Sequence, residues 1–538
     1  MTHLTNILRA LSNAPNQAGI ADIVRGLEKE SLRIKPNGTL ASSQHPPALG
    51  SALTHPHITT DYSEALLEFI TDPSASASGV LQQLTELHAY TCQNLNGERL
   101  WPTSMPCMLG RDEDIPIAQY GSSNSGKMKS AYRMGLGHRY GRSMQTIAGL
   151  HYNFSVSEEL WDFLHKKEKS ALSIEDFKTQ GYFHLIRNFR RYFWLLLYLF
   201  GASPGVCKSF VSGREHQLVP FGEDQHSLHM PYATSLRMGD LGYQSSAQES
   251  LVITYNCLES YIKTLCSAIT HTHAGYESIG TKDSNGCYQQ LNANLLQIEN
   301  EFYSVIRPKR TAQRGETALS ALANGGVEYI EVRCLDLNPF EPLGINESNM
   351  RFLDTFLLYC LLSDSAPSDE HEHDAIQENQ KRMVYNGRDP ELKLLDREAS
   401  GNMKERPMRE WADSLMQDIQ LVSNVLSEAT GEQKHNDSLQ DEWEKLRDDR
   451  LTPSARVLDT MSQENKTFYR FAADLATQHQ HHFTTYPLAP KKQAHLSDLA
   501  QLSLTKQRDI ENSDNISFDQ YLEDYYSQYE CNKPAYTP

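Results

Sequence analysis

From Gly326 to Pro339 the side chains alternate between faces in the manner of a strand. Val327, Tyr329, Ile330 and Val332 are strand formers, and Pro339 closes the run. Tyr329, Glu331 and Arg333 then share one face, while Ile330, Val332 and Cys334 face a core. Alone, a carboxylate and a guanidinium two residues apart read as an ion pair on a solvated face. Other apolar runs are interrupted by carboxylates in the same way, and that changes the reading. A strand through Gly19–Ile34 puts Glu28 and Glu30 on one side, with Gly26 leaving room beside them. Ile58–Thr71 reads in two ways. As a helix it aligns Asp61, Glu64 and Glu68; as a strand over Leu66–Thr71 it puts Glu68 and Ile70 on one side. In Met144–Ser155, Gln145, His151 and Asn153 share parity in front of Tyr152 and Phe154, with Gly149 the point where that register can break.

The rest of the pattern is coarser. A short amphipathic helix is expected over 5–20, a helix at about 76–96, helical structure over 158–200, and a helix at about 247–271. Residues 231–243 read as a loop offering Arg237 and Tyr243 to a ligand. Residues 291–310 read as a long strand ending in Arg307, Lys309 and Arg310. Gly121–Lys127 fits the first seven positions of a phosphate-binding P-loop, but Met128 stands where a Ser or Thr is needed and no buried parallel strand precedes it. The expectation for 119–141 is therefore a flexible Gly/Ser loop carrying Lys127, Lys129 and Arg133 near a polyanion. Arg351–Ser363 is an apolar helix, 364–382 a polar surface loop, and the remainder mainly helical and acidic with a mobile tail from Tyr525. This gives two regions, 1–363 as a catalytic core and 364–538 packed on it.

Composition narrows the partners. The 538 residues carry 39% hydrophobic side chains, ample for a large core. A net charge of −18 with no basic arm argues against nucleic acid. The longest apolar run, 192–202, is too short to span a bilayer, and no signal-peptide pattern opens the chain. The nine cysteines are scattered, without a CxxC pair, so no zinc site or disulfide framework is expected and a reducing cytoplasm fits best. The clusters Glu370–Asp374 and His479–His482 lack a second ligand set at zinc spacing.

Five carboxylates, Glu28, Glu30, Asp61, Glu68 and Glu331, thus lie on or beside apolar strand-like segments. Converging in a half-buried cleft, they would stay ionised together only with cations among them. All-oxygen ligands suit Mg²⁺ or Mn²⁺. With Arg333, Arg237, Arg307 and Lys309 nearby, such a set can hold ATP and move its γ-phosphoryl group. Residues alone do not name the acceptor.

Ordered motifs do. Arg25-Gly-Leu-Glu-Lys-Glu30, Ile58-Thr-Thr-Asp61 through Glu68-Phe-Ile-Thr71, Trp101-Pro-Thr-Ser-Met-Pro-Cys107, Gln119-Tyr-Gly-Ser-Ser-Asn124, His151-Tyr-Asn-Phe154, Pro231-Tyr-Ala-Thr-Ser-Leu-Arg237 and Glu328-Tyr-Ile-Glu-Val-Arg333 resemble the proteobacterial glutamate–cysteine ligases. The likeness spans about residues 20–350 and thins past 365. It implies an α+β, glutamine-synthetase-like fold, a curved antiparallel sheet surrounded by helices. A monomer in the cytoplasm is the accompanying expectation. It implies ATP-dependent joining of the γ-carboxylate of L-glutamate to the amine of L-cysteine through a γ-glutamyl phosphate, the first step of glutathione synthesis. It matches Glu28, Glu30, Asp61, Glu68 and Glu331 to metal-binding carboxylates and Arg333 to an arginine near the transferred phosphoryl group. It matches Tyr62, Tyr132, Leu136, Gln145, Arg237, Tyr243 and Tyr303 to the cysteine pocket. His151 and Asn153 are further candidates for substrate, and Arg307, Lys309 and Arg310 for the nucleotide. A ligase of the same fold acting on another amine, a metal-dependent phosphohydrolase and a non-catalytic nucleotide binder remain open alternatives.

Overall fold

The computed structural model describes residues 2–223, 225–242, 248, 251–313, 315–398 and 401–529. Its centre is a seven-stranded antiparallel sheet. The strands are β1 (Val24–Ile34), β2 (Ile58–Thr60), β3 (Leu66–Ile70), β4 (Arg99–Leu100), β5 (Leu150–Ser155), β6 (Ile306–Lys309) and β7 (Tyr329–Leu335). Their order is β2-β3-β1-β5-β7-β6, with β4 on one end of β1. This bears out the α+β expectation, and the sheet is open rather than closed.

Register decides what the sheet presents. Glu30 pairs with Glu68, Glu28 with His151, and Glu331 with both Asn153 and Arg307. Directly paired residues point to the same side, so these polar groups occupy one face. The opposite face carries Leu27, Phe69, Tyr152, Phe154, Ile330 and Val332, all buried. Helices cover it, among them α1 (Ala77–Asn94), α3 (Ile174–Tyr192) and α5 (Glu347–Leu362). The buried Tyr152 hydroxyl donates to Asp354 of α5 at 2.7 Å, and Arg25 pairs with the same carboxylate at 2.9 Å. One hydrophobic core runs from Leu4 past residue 363 to the C-terminal helices Met408–Thr430, Lys434–Arg447 and Phe468–Thr485.

Several expectations are corrected. Ile58–Thr71 is two strands, so the helical alignment of Asp61, Glu64 and Glu68 does not form; Glu64 instead accepts the backbone amides of His45 and Gln119. The segment expected as a flexible loop at 119–141 holds helix α2 (Asn124–Tyr140), whose N-cap Ser123 accepts the Gly126 amide at 3.2 Å. The long strand expected over 291–310 shrinks to β6. Before it, Asn292, Gln297 and Glu301 spend their side chains on nearby backbone groups, which competes with a ladder. Helix 5–20 ends at Ser12, ahead of Pro15, and helix 247–271 begins only at Leu258. After α4 (Ala318–Gly325), the surface loop expected at 364–382 is largely helix α6 (Glu370–Asn386), capped by Asp369. The chain closes with α7 (Pro490–Ser513) and α8 (Phe518–Tyr526); Tyr529 beyond them is buried, contrary to the mobile tail, whose last residues lie outside those described. Cys107 and Cys207 form a disulfide with Cα atoms 5.5 Å apart, and Cys266 is disulfide-bonded too. No helix among the described residues is long and apolar enough to cross a membrane.

Candidate functional site

The polar face of the sheet gathers the carboxylates around one imidazole. His151 Nδ1 lies 3.3 Å from Glu28 and 3.6 Å from Glu331, and its Nε2 lies 3.7 Å from Glu30. Two groupings bring three ligand atoms within 4.8 Å of one another among the described residues: Glu28–His151–Glu331 and Glu30–Glu68–His151. Neither histidine cluster of the sequence forms one. Glu28 also accepts from Asn153 Nδ2 at 2.8 Å, and Glu30 accepts the Gly149 amide at 2.6 Å. Asp61 follows β2, and its carbonyl accepts bonds from Tyr120 Oη and Arg133 Nε.

Electrostatics divides these acids into two pairs. Burial pushes the Glu331 carboxyl up, but Lys309 at 3.5 Å, Arg333 at 3.1 Å and His151 together hold it well below the usual range. Burial and the Glu331 charge likewise oppose ionisation of Glu28, yet His151 and Lys309 prevail and lower it. For Glu30 and Glu68 the balance falls the other way. Burial and the Asp61 charge raise Glu30 to about 8. Burial with the charges of Glu28, Asp61 and Glu30 raises Glu68 far above the ordinary value. Burial and Arg333 lower His151 against the opposing pull of Glu28 and Glu331, which favours the neutral form of the ring. His151 Nε2 is buried without a hydrogen-bond partner, and Glu331 Oε2 has only the Lys309 ammonium at 3.5 Å. A buried imidazole nitrogen left open and crowded acids fit divalent cations. The oxygen set of Glu30, Glu68 and neighbouring Asp61 suits Mg²⁺, and the mixed set of Glu28, His151 and Glu331 suits Mg²⁺ or Mn²⁺.

The cationic candidates separate. Arg333 and Lys309 stand on Glu331, and Arg307 donates to the carbonyls of Asn300 and Phe302 beside them. Arg310 is directed elsewhere, to the carbonyls of Gly325 and Gly326 at the end of α4. Arg237 is fully buried, donates to the Arg333 carbonyl at 3.0 Å and passes so close to Gly149 that a Cβ there would lie 2.1 Å from Nη2. That contact explains the glycine in β5's approach. Gln145 donates to Tyr303 Oη at 2.7 Å. Tyr62 is buried with an unpartnered hydroxyl against Gly137 of α2, and Tyr132 and Leu136 belong to the same helix. Tyr243 lies outside the described residues.

Beside the carboxylates, at Arg333, opens a cleft. Arg333, Tyr255, Ile253 and Tyr303 form part of its wall, and Ile376 and Gln377 of α6 close another side. Sequence reading missed this contribution of α6, although Ala375, Ile376, Asn379 and Met383 are a helical stripe. It also left Arg133 near an unspecified polyanion, where the structure puts it on Asp61.

Comparison with known proteins bears on this geometry. The family model for glutamate–cysteine ligase matches residues 8–383. Glutamate–cysteine ligase of Saccharophagus degradans is 50% identical over 99% of this chain and 100% of its own length. That of Alcanivorax borkumensis is 49% identical over 98% and 100% respectively. The crystal structure of the Francisella tularensis glutamate–cysteine ligase in complex with AMP superposes with a TM-score of 0.88 at 38% identity, covering 94% of this chain and 98% of that one. A bifunctional glutathione synthetase from Pasteurella multocida gives a TM-score of 0.69 at 25% identity, over 92% of this chain and 57% of its own.

Proposed function

The chain belongs to the glutamate–cysteine ligase family, and from that premise we propose how this face carries out ATP-dependent formation of γ-glutamylcysteine, the first step of glutathione synthesis. The observation that carries the reading is the position of Arg333. Its guanidinium sits on Glu331 at 3.1 Å and also lines the cleft, so it stands where a nucleotide's phosphates would pass from cleft to carboxylates. The AMP bound by the Francisella tularensis relative supports a nucleotide in such a fold.

In this reading Glu28, His151 and Glu331 hold one divalent cation and Glu30, Glu68 and Asp61 another. Mg²⁺, with Mn²⁺ able to replace it, neutralises phosphate charge when bound. Tyr255 and Ile376 enclose the base end of ATP, and Arg333 and Lys309 face its γ-phosphate. Arg307, held by two carbonyls, supports Lys309 and Glu331; Arg310, spent on α4, is not part of the nucleotide site. The cysteine pocket lies on the α2 side, between Tyr62, Leu136, the Gln145–Tyr303 pair and Arg237, with Tyr132 behind.

A carboxylate is a poor acyl donor. An oxygen of the glutamate γ-carboxylate attacks the γ-phosphorus in line, ADP leaves, and Arg333 balances the developing charge. The cysteine amine then attacks the acyl carbon, phosphate departs with that oxygen, and the amine gives up a proton. Fixing both reactants converts a bimolecular step into an effectively unimolecular one, worth on the order of 7–11 kcal/mol at best. Glutamate labelled with ¹⁸O in its γ-carboxylate tests the path. Label recovered in inorganic phosphate is expected; unlabelled phosphate overturns the acyl phosphate.

A further inference from the structure

Helix α2 works on two faces. Arg133 and Gly137 turn towards the site: Arg133 bonds the Asp61 carbonyl and its guanidinium lies 4.7 Å from the Tyr120 ring, whose hydroxyl bonds the same carbonyl at 3.0 Å. The other face, Met128 and Ala131, joins Leu291, Ile298 and Leu522 in a separate small core, with Phe518, Tyr521 and Tyr526 packed on it. Leu522 and those aromatics belong to α8, from the C-terminal end of the chain.

The path to α8 is fastened at every turn. Ser503 of α7 accepts the Ser51 amide at 2.9 Å, and its carbonyl accepts Thr54 Oγ1 at 2.6 Å. Glu511 accepts the Ser122 amide at 2.8 Å. Gly50 and Gly121, both at positive φ, let α7 in; a Cβ on Gly121 would lie 2.1 Å from Gln507. Asp514 then accepts the Asn124 amide at the first residue of α2, and the Ile516 carbonyl takes Asn124 Nδ2 at 3.0 Å. In α8, Tyr526 donates to the Gln297 carbonyl at 2.9 Å, while Gln297 Nε2 donates to the Tyr132 carbonyl in α2 at 3.2 Å. Tyr529 reaches Glu299, which caps α4 ahead of β7.

We infer that this C-terminal arm, residues 503–529, is a positioning element of the catalytic site. It fixes α2 from its first residue and its outer face, and α2 fixes Asp61 through Arg133. Asp514 and Tyr526 are positioning residues: they touch neither substrate nor cation. The inference rests on the reading that Asp61 serves a cation.

The test uses the full chain with Asp514→Ala, Tyr526→Phe, the two together, and Asp514→Asn, which keeps an acceptor oxygen for the Asn124 amide. Mn²⁺ titration followed by paramagnetic resonance, the Mn²⁺ dependence of ADP release and melting temperature are measured. The double variant should bind Mn²⁺ about tenfold more weakly, the scale of one lost cap or buried hydrogen bond. Its kcat at saturating Mn²⁺ should stay within about twofold, and Asp514→Asn should match the wild type. The single variants carry the test if the double one does not fold. Unchanged Mn²⁺ affinity, or kcat falling in step with melting temperature, overturns the role of the arm. A wild-type chain that binds no Mn²⁺ overturns the cation reading beneath it.

Discussion

Replacing Glu331 by Gln removes one charge and almost no volume from the middle of the site. Glu331 is 1% exposed, with Arg333 Nη1 at 3.1 Å and Lys309 Nζ at 3.5 Å. At an effective dielectric of about 20, each contact is worth roughly 5 kcal/mol before desolvation is subtracted. The Arg333 and Lys309 side chains are 18% and 29% exposed, so solvent takes back part of that when the carboxylate goes. The larger effect is functional. Glu28–His151–Glu331 loses one of its two carboxylates, and Arg333 loses the anion that orients it between carboxylates and cleft. Loss of one preorganised charge-stabilising group costs about 10²–10³ in kcat, and loss of a cation with it costs more. Glu331→Gln should therefore lower ADP release, measured with a coupled assay at saturating substrates, by at least about a thousandfold. Circular dichroism should show a folded protein. A folded Glu331→Gln variant with wild-type ADP release would refute the role of this carboxylate.

Three further outcomes follow from the same geometry. Burial and the Asp61 charge push Glu30 up from an ordinary 4.5 to about 8 in the cation-free protein, so its contribution to stability is present below about 4.5 and is lost as pH rises through about 8. Cation binding at pH 7 should then release roughly one to two protons and tighten as pH rises to about 8, and calorimetry in buffers of different ionisation enthalpy reads this; a pH-independent affinity contradicts it. Ile376→Ala, in the cleft wall, should raise KM for ATP about tenfold and leave the two amino-acid KM values alone, whereas an unchanged KM for ATP would remove α6 from the nucleotide site. Phe356→Ala on α5, fully buried beside Phe189 and Phe352, should cost about 3–5 kcal/mol by denaturant unfolding with the kinetics of the surviving folded fraction unchanged.

The carboxylate face was legible because strand alternation is a two-residue rule. Glu28 with Glu30, and Glu331 with Arg333, sort to one side whatever the partner strand. Pairing was not legible: that Glu30 lies opposite Glu68, and Glu28 opposite His151, comes from strands far apart in sequence. Sequence alone makes His151 a candidate for substrate, and only its distances to Glu28, Glu30 and Glu331 put it among the carboxylates. Local composition misled where tertiary packing supplies the stability. The Gly/Ser stretch at 121–126 reads as a loop, yet Ser123 and Asp514 cap a helix that α8 then covers. The acidic 364–382 segment reads as surface, yet Glu372 is buried on Arg191 at 2.7 Å, which turns a charged helix inward. The Cys107–Cys207 pair, separated by 100 residues, has no sequence signature at all. One core spans both sides of residue 363, and Asn349 of α5 bonds Glu442 at 3.0 Å across it, contacts between distant segments that no local pattern announces.

The most direct test of the whole account is ADP release by the purified chain with Mg²⁺, ATP, glutamate and cysteine, each omitted in turn. The account predicts release that needs all four, with a γ-linked glutamyl-cysteine dipeptide identified by mass spectrometry. Release from ATP and Mg²⁺ alone, with no dipeptide, would contradict it and make the same carboxylates those of a phosphohydrolase.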